Sequence, residues 1–326
     1  MKKRLMWLIL LIVVICSVFF IAFDFKQTLT GSMAPGSSTS VLSHSLPENI
    51  MDRFWLIDEV DLEAESALLI EADTGHVLYE HNSELSVPTA SMSKMMSEVL
   101  VLEAIEAGAL DWDDTVKLSE YALAISNHPG YASVGLSDDQ AYTVRELFEA
   151  MAVSSANGAT IALAEAVSGT EQAFVQEMNL KAAELGLEDS SFVNSTGLDN
   201  YLLGDYYSTG NLNDTNKMSA RDLASLASYL LDTHPAVSQV MSQPQYSKGN
   251  LTSPNTNQML SGELAYDGVD GLKTGYTDIA GYCFTGTVER DGVRLISVVT
   301  GTSSEEQRFI DTASLYEQAY DLIDNW

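Results

Sequence analysis

The chain is 326 residues long, 46% hydrophobic and 19% charged, which is enough for a globular body with a core and too apolar for a disordered or fibrous protein. Sixteen Lys and Arg stand against 46 Asp and Glu, a formal net charge of −30 that repels phosphate backbones and excludes nucleic acid as a partner. The two cysteines cannot staple a small scaffold, and with basic residues so scarce, each one that falls inside a motif carries weight.

Lys2, Lys3 and Arg4 precede an uncharged apolar run from Met6 to Phe23. As a helix this run spans about 27 Å, close to the hydrocarbon thickness of a bilayer. The basic flank predicts an uncleaved signal anchor with the rest of the chain outside. Gly31-Ser32-Met33-Ala34 is only a weak cleavage site, secretion after cleavage being the alternative. Residues 1–26 thus read as tail and anchor, 27–55 as a flexible Ser/Thr/Gly/Pro-rich linker, and 56–326 as the folded body. Cys16 lies in the anchor and Cys283 in the body, so they cannot bridge.

Within the body, Ala67 to Ala72 and His76 to Glu80 read as a hairpin around Asp73-Thr74-Gly75. A helix is expected from near Ser91 to Gly108, amphipathic helices over Val144 to Val167 and Glu171 to Leu185, and another over Ala220 to Leu231. The pattern then becomes strand-like over Val269 to Tyr276, Tyr282 to Glu289 and Val293 to Thr300, with a turn at Arg290-Asp291-Gly292. Ser304 to Ile323 closes the body as a helix. Strands near both ends around a helical middle predict an α+β fold, a mixed sheet covered by helices with an inserted helical subdomain at about 97–230.

Three short motifs can carry chemistry. In Ser91-Met92-Ser93-Lys94, positions i and i+3 share a helix face, so the hydroxyl and amine can meet. A serine hydroxyl needs a base, and a lysine serves if desolvation or a nearby cation lowers its pKa. Ser155-Ala156-Asn157 follows an apolar helix and offers a hydroxyl and an amide, although polar turn residues are the bland reading. Lys273-Thr274-Gly275 lies on an expected strand, where the glycine admits close approach to the backbone.

In this order the three motifs resemble those of the penicillin-recognising serine enzymes. Pro88 to Met96, Ser219 to Asp222, Asn194-Ser195-Thr196-Gly197-Leu198, Asn255 to Leu260, Val269 to Thr277, Ala280-Gly281-Tyr282 and Arg294 to Val299 resemble the low-molecular-weight D-alanyl-D-alanine carboxypeptidases, over roughly residues 60 to 325. The resemblance implies a β-lactamase/DD-peptidase-like fold with a five-stranded antiparallel sheet, no metal or cofactor, peptidoglycan stem peptides as substrates and β-lactams as covalent inhibitors. It implies Ser91 as nucleophile, Lys94 as its base with a pKa lowered by Lys273, Ser155 as proton relay and Asn157 as holder of the peptide amide. Lys273 and Thr274 would bind Ser155 and the terminal carboxylate, with Gly275 beside them and Arg308 helping to recognise that carboxylate. Backbone N–H groups of Ser91 and Tyr276 would form the oxyanion hole.

Some positions depart from the family pattern. Tyr276 stands where many relatives have histidine, and Ala156 and Gly158 replace the more usual Gly and Asp. The segment 200–216 is longer than the family's connection and is expected to form a loop near the cleft. No C-terminal β-rich domain is expected. A class A-like β-lactamase is the rival enzyme, but it needs a Glu-x-x-x-Asn loop, and Glu184 is followed four residues on by Glu188. A membrane-anchored, non-hydrolytic penicillin sensor is the rival from another class.

Overall fold

A computed structural model describes residue 57 and residues 60–324; the anchor and linker read from the sequence lie outside the described residues. Among the described residues, no helix is long and apolar enough to cross a membrane. Five strands form one antiparallel sheet: β1 (Ser66–Glu71), β2 (Val77–His81), β3 (Val269–Thr277), β4 (Gly281–Arg290) and β5 (Val293–Thr302), in the order β2-β1-β5-β4-β3. The expected α+β architecture is therefore present. Asp291 and Gly292 both adopt positive φ, which makes the tight β4–β5 turn that the sequence signals.

β1 is buried along its whole length because both faces of the sheet are covered. Alternate residues serve opposite cores. Leu68 and Ile70, paired across the strand with Val298 and Ile296, face the cluster built by the helical insert. Ala67 and Leu69 face the opposite cluster with Phe309, Leu315, Tyr316 and Ala319 of the closing helix (Gln307–Asp324). Ser297, a polar residue on that second face, is satisfied by Tyr316 Oη at 2.7 Å.

The chain between β2 and β3 supplies helices α1 (Lys94–Glu106), α2 (Glu120–Ser126), α3 (Val144–Ser154), α4 (Asn157–Ser168), α5 (Glu171–Glu184) and α6 (Ala220–Thr233). Side-chain oxygens of Ser119, Thr143, Thr170 and Ser219 accept from backbone N–H groups at the starts of α2, α3, α5 and α6. Each thereby satisfies a donor that the first turn leaves orphaned. Thr143 and Glu146 form a full capping box, and Lys248 pairs with Glu146.

The single helix expected over Val144 to Val167 is two. Ser155 turns left-handed (φ 56°), Ala156 is extended, and a new helix starts at Asn157. Both helices bury apolar residues in the same cluster, so the apolar pattern runs through the break and conceals it. The helix expected from Ser91 likewise begins as a 3₁₀ turn, Ala90–Ser93, and becomes α-helical only at Lys94.

Candidate active site

The nucleophile candidate sits on a strained turn. Ala90 adopts φ 45°, a left-handed value that costs energy for a residue with a Cβ, and it projects Ser91 at the head of α1. Lys94, one turn on, is fully buried. Its Nζ lies 2.8 Å from Ser91 Oγ, 2.7 Å from Asn157 Oδ1 and 2.6 Å from the Thr196 carbonyl. Two of these three neighbours can only accept. A neutral amine therefore gives its two N–H bonds to Asn157 and Thr196, and its lone pair faces the Ser91 hydroxyl. The contact becomes Ser91 O–H donating to Lys94, the arrangement that proton abstraction requires.

The helix break serves the same crevice. Ser155 is the left-handed residue that ends α3, and Asn157 opens α4 with its amide oxygen on Lys94. Ser155 Oγ is buried at the cleft and has no hydrogen-bond partner among the described residues. The expected link from Lys273 to Ser155 is not made: Lys273 Nζ donates instead to the Thr274 carbonyl at 3.1 Å. Thr274 Oγ1 donates to Thr256 Oγ1 at 2.7 Å.

Gly275 has a reason beyond substrate approach. A Cβ there would lie 2.6 Å from the Thr89 carbonyl and 3.3 Å from Ala90 Cβ, so the strand backbone rests directly on the nucleophile turn. Arg308, at the start of the closing helix, donates from Nη1 to the Gly275 carbonyl at 3.2 Å and pairs through Nη2 with Glu305 at 3.2 Å. Its guanidinium also lies over the Tyr282 ring, 5.5 Å from the centroid. Tyr276 is half exposed, stacks on Tyr282 at 4.2 Å and donates to Asp278 Oδ1 at 2.8 Å. The fold thus gathers Ser91, Ser155, Thr274, Gly275, Tyr276 and Arg308 on the walls of one cleft of about 760 Å³, with Lys94 buried beneath Ser91.

Burial sets the electrostatics. It holds the Lys94 amine well below the usual lysine range, the Lys273 charge pushes the same way, and Glu98 opposes both. The lowering expected from Lys273 is thus present, but desolvation leads it. Burial also brings Lys273 down to about 8, against the pull of Glu98 and with a smaller push from Arg308.

Glu98 was not foreseen. An acid four residues after a lysine on a helix ordinarily reads as a solvated ion pair. Only its apolar flanks, Met95-Met96 and Val99-Leu100, hint at burial. Thr196 was also missed, because it acts through a carbonyl, which every residue has. The segment 200–216, expected as a loop near the cleft, begins instead as a short helix, Asn200–Leu203, and a 3₁₀ turn, Gly204–Tyr206. The Leu202 carbonyl accepts from Tyr131 Oη at 2.7 Å and Tyr131 lines the cleft wall, but no residue of the segment is among those lining it. The acid weighed for a β-lactamase, Glu184, pairs with Lys181 at 3.0 Å and is not among the cleft-lining residues.

The family profile described as D-alanyl-D-alanine carboxypeptidase matches residues 56–304. The chain belongs to this family. It is 36% identical over 266 residues to the D-alanyl-D-alanine carboxypeptidase DacF of Bacillus subtilis, covering 80% of this chain and 63% of the relative. It is 30% identical to DacC of Escherichia coli over 79% of this chain and 62% of that protein. This family member therefore spans somewhat under two thirds of those relatives' length. Among solved structures it resembles a peptidoglycan synthesis regulatory factor from Streptococcus pneumoniae (TM-score 0.76, 38% identity, 79% of this chain and 73% of that one). It also resembles penicillin-binding protein D2 from Listeria monocytogenes in a cefotaxime-bound form (TM-score 0.70, 34% identity, 80% and 99%).

Proposed function

We propose that the chain is a serine-type D-Ala-D-Ala carboxypeptidase, removing the terminal D-alanine from peptidoglycan pentapeptides through an acyl-enzyme on Ser91, and that β-lactams acylate the same serine. The observation that carries this reading is the surround of Lys94, which leaves one lone pair aimed at Ser91 Oγ. Membership of the family supplies the substrate class.

Ser91 Oγ attacks the carbonyl carbon between the two D-alanines as its proton passes to Lys94 Nζ. The carbonyl oxygen becomes an oxyanion and is met by the backbone N–H groups of Ser91 and Tyr276. The C–N bond then breaks, and the departing amine takes a proton delivered from Lys94 through the Ser155 hydroxyl. A hydroxyl buried at the cleft without a partner suits that relay. D-alanine leaves. Water next gives a proton to Lys94, attacks the ester and releases the shortened stem, and Ser91 recovers its proton. Asn157 holds the substrate's peptide amide. Lys273, Thr274, the backbone at Gly275 and Arg308 receive the terminal carboxylate, so two of the chain's few cations serve one anionic end.

The same reading puts the body on the cell-wall side of the membrane. Met6 to Phe23 serves as a single-pass anchor and residues 27–55 as its tether, supported by the basic flank and the length of the apolar run. The test is to incubate the full chain with diacetyl-Lys-D-Ala-D-Ala and measure free D-alanine, then repeat with Ser91→Ala. Release that depends on Ser91 is the expected result; release that survives Ser91→Ala overturns the assignment.

A further inference from the structure

Ser91, Lys94 and Glu98 lie at i, i+3 and i+7 and so share one face of the α1 turn and helix. Glu98 is 0% exposed, and neither of its carboxylate oxygens has a hydrogen-bond partner among the described residues. A carboxylate buried that way is costly, and either takes up a proton or needs a charge to compensate it. Two charges act on it, Lys273 more strongly and Lys94 less. Lys94 Nζ is already saturated by Ser91, Asn157 and Thr196. Lys273 makes one hydrogen bond among the described residues, to a carbonyl, and is otherwise a buried cation in need of a counter-charge.

We propose that Glu98 is a positioning residue for the reaction: its carboxylate is the buried counter-charge that keeps Lys273 cationic, and so able to draw the substrate's carboxylate, while Lys94 remains the neutral base. The division follows from the contacts. Lys94 has no donor to spare for Glu98, whereas Lys273 has two. With Lys94 neutral, Lys273 positive and Glu98 negative, the trio carries no net charge, the form in which burial costs least. Arg308 acts on Lys273 from the closing helix and tends to discharge it, so Glu98 offsets that push as well. Glu98 itself titrates in the same region, pushed up to about 8 by burial against the pull of Lys273 and Lys94.

The inference rests on the acylation reading of Ser91, and the experiment separates the two. The second-order rate of acylation by a fluorescent penicillin is measured from pH 5 to 10 for the full chain and for Glu98→Gln, Glu98→Ser and Glu98→Asp, with D-alanine release alongside. Glu98 is charged only on the alkaline side, where loss of its negative charge lowers the pKa of Lys273, so Glu98→Gln is expected to move the falling limb of the profile to lower pH. The falling limb should move by about one pH unit, a loss of roughly tenfold at pH 9 with little change at pH 6. Glu98→Ser, smaller and also uncharged, reads the same shift should the amide fail to fold. Glu98→Asp is expected to return the profile most of the way. A uniform loss of rate with unmoved limbs in the folded uncharged variants overturns the proposal, as does an aspartate variant that behaves like the uncharged ones. Acylation by the unaltered chain without D-alanine release would sink the carboxypeptidase reading and leave Glu98 decided by the acylation profile. Absence of both would sink both.

Discussion

Lys94 Nζ donates a 2.6 Å hydrogen bond to the Thr196 carbonyl, reaching across 102 positions of chain. That carbonyl is held by its own loop: Asn194 Oδ1 accepts from the Thr196 amide, the Thr196 hydroxyl and the Gly197 amide. Glu171, buried at the start of α5, accepts from the amide and hydroxyl of Ser195. The amine proposed as the base is thereby oriented by a loop that sequence inspection assigns no chemistry.

Gly197→Ala should therefore impair the proposed base from a distance. Gly197 has φ +81°, and a Cβ there would fall 1.9 Å from the Ala90 carbonyl oxygen, where backbone cannot yield cheaply. We expect a loss of several kcal/mol in folding stability and, in whatever protein remains folded, at least a tenfold drop in penicillin acylation. Thermal unfolding and fluorescent-penicillin labelling check it; a variant with unaltered melting and labelling would contradict the loop's role.

The pH profile should be bell-shaped, with signs set by the two lysines. Lys94 must be unprotonated to act, and burial with the Lys273 charge holds it well below the ordinary lysine value, so activity rises as pH climbs through that lowered pKa. Lys273 must be protonated to attract the substrate terminus. Its folded value is about 8, so the attraction fades as pH passes through that region. Lys273→Arg keeps its charge at any such pH and should push the falling limb of kcat/KM upward, whatever it costs in absolute rate. An unmoved falling limb would assign that limb to another group.

Arg308 and Glu305 form a pair that the substrate's carboxylate would have to share if Arg308 binds it as proposed. Arg308→Ala removes a charge-assisted contact to the terminal carboxylate, and the KM for the peptide should rise roughly tenfold or more with kcat nearly constant. Penicillin labelling should suffer less. Glu305→Gln leaves the guanidinium without its 3.2 Å counter-ion and should lower the peptide KM. Steady-state D-alanine release across peptide concentrations measures both, and equal losses of peptide and penicillin use in Arg308→Ala would contradict the role.

Thr143→Ala supplies the contrasting case. Its hydroxyl caps α3 with Glu146 in a reciprocal box, at the end of the helix opposite Ser155. Removing it should cost about 1 kcal/mol of stability, read from urea unfolding, while acylation of the folded protein stays unchanged. A large catalytic loss would mean that α3 transmits strain to Ser155.

Much of this arrangement is legible without coordinates. The β4–β5 turn follows from Arg290-Asp291-Gly292, and the 2.8 Å Ser91–Lys94 contact follows from helical spacing, since each depends on neighbours in the chain. The break at Ser155 was not legible, because α3 and α4 bury the same cluster and the apolar rhythm continues through it. Nor was the reason for Gly275, which lies in how closely β3 rests on Thr89 and Ala90. Glu98 draws no expectation from the sequence, because apolar flanks alone do not mark a helix face as dry.

The sequence by itself determined which groups are available and in what order: a hydroxyl and amine one turn apart, a polar step after a helix, a cation on a late strand. Only the tertiary structure decided that the amine lies buried against the hydroxyl, as the proposed base and nucleophile require. A lysine's proton affinity depends on what excludes water from it and what charge lies beside it. For Lys94 those neighbours are Asn157, 63 positions away, and Thr196, 102 away, together with Lys273 on the far strand. Spacing along a chain cannot set a dielectric; enclosure by distant segments does.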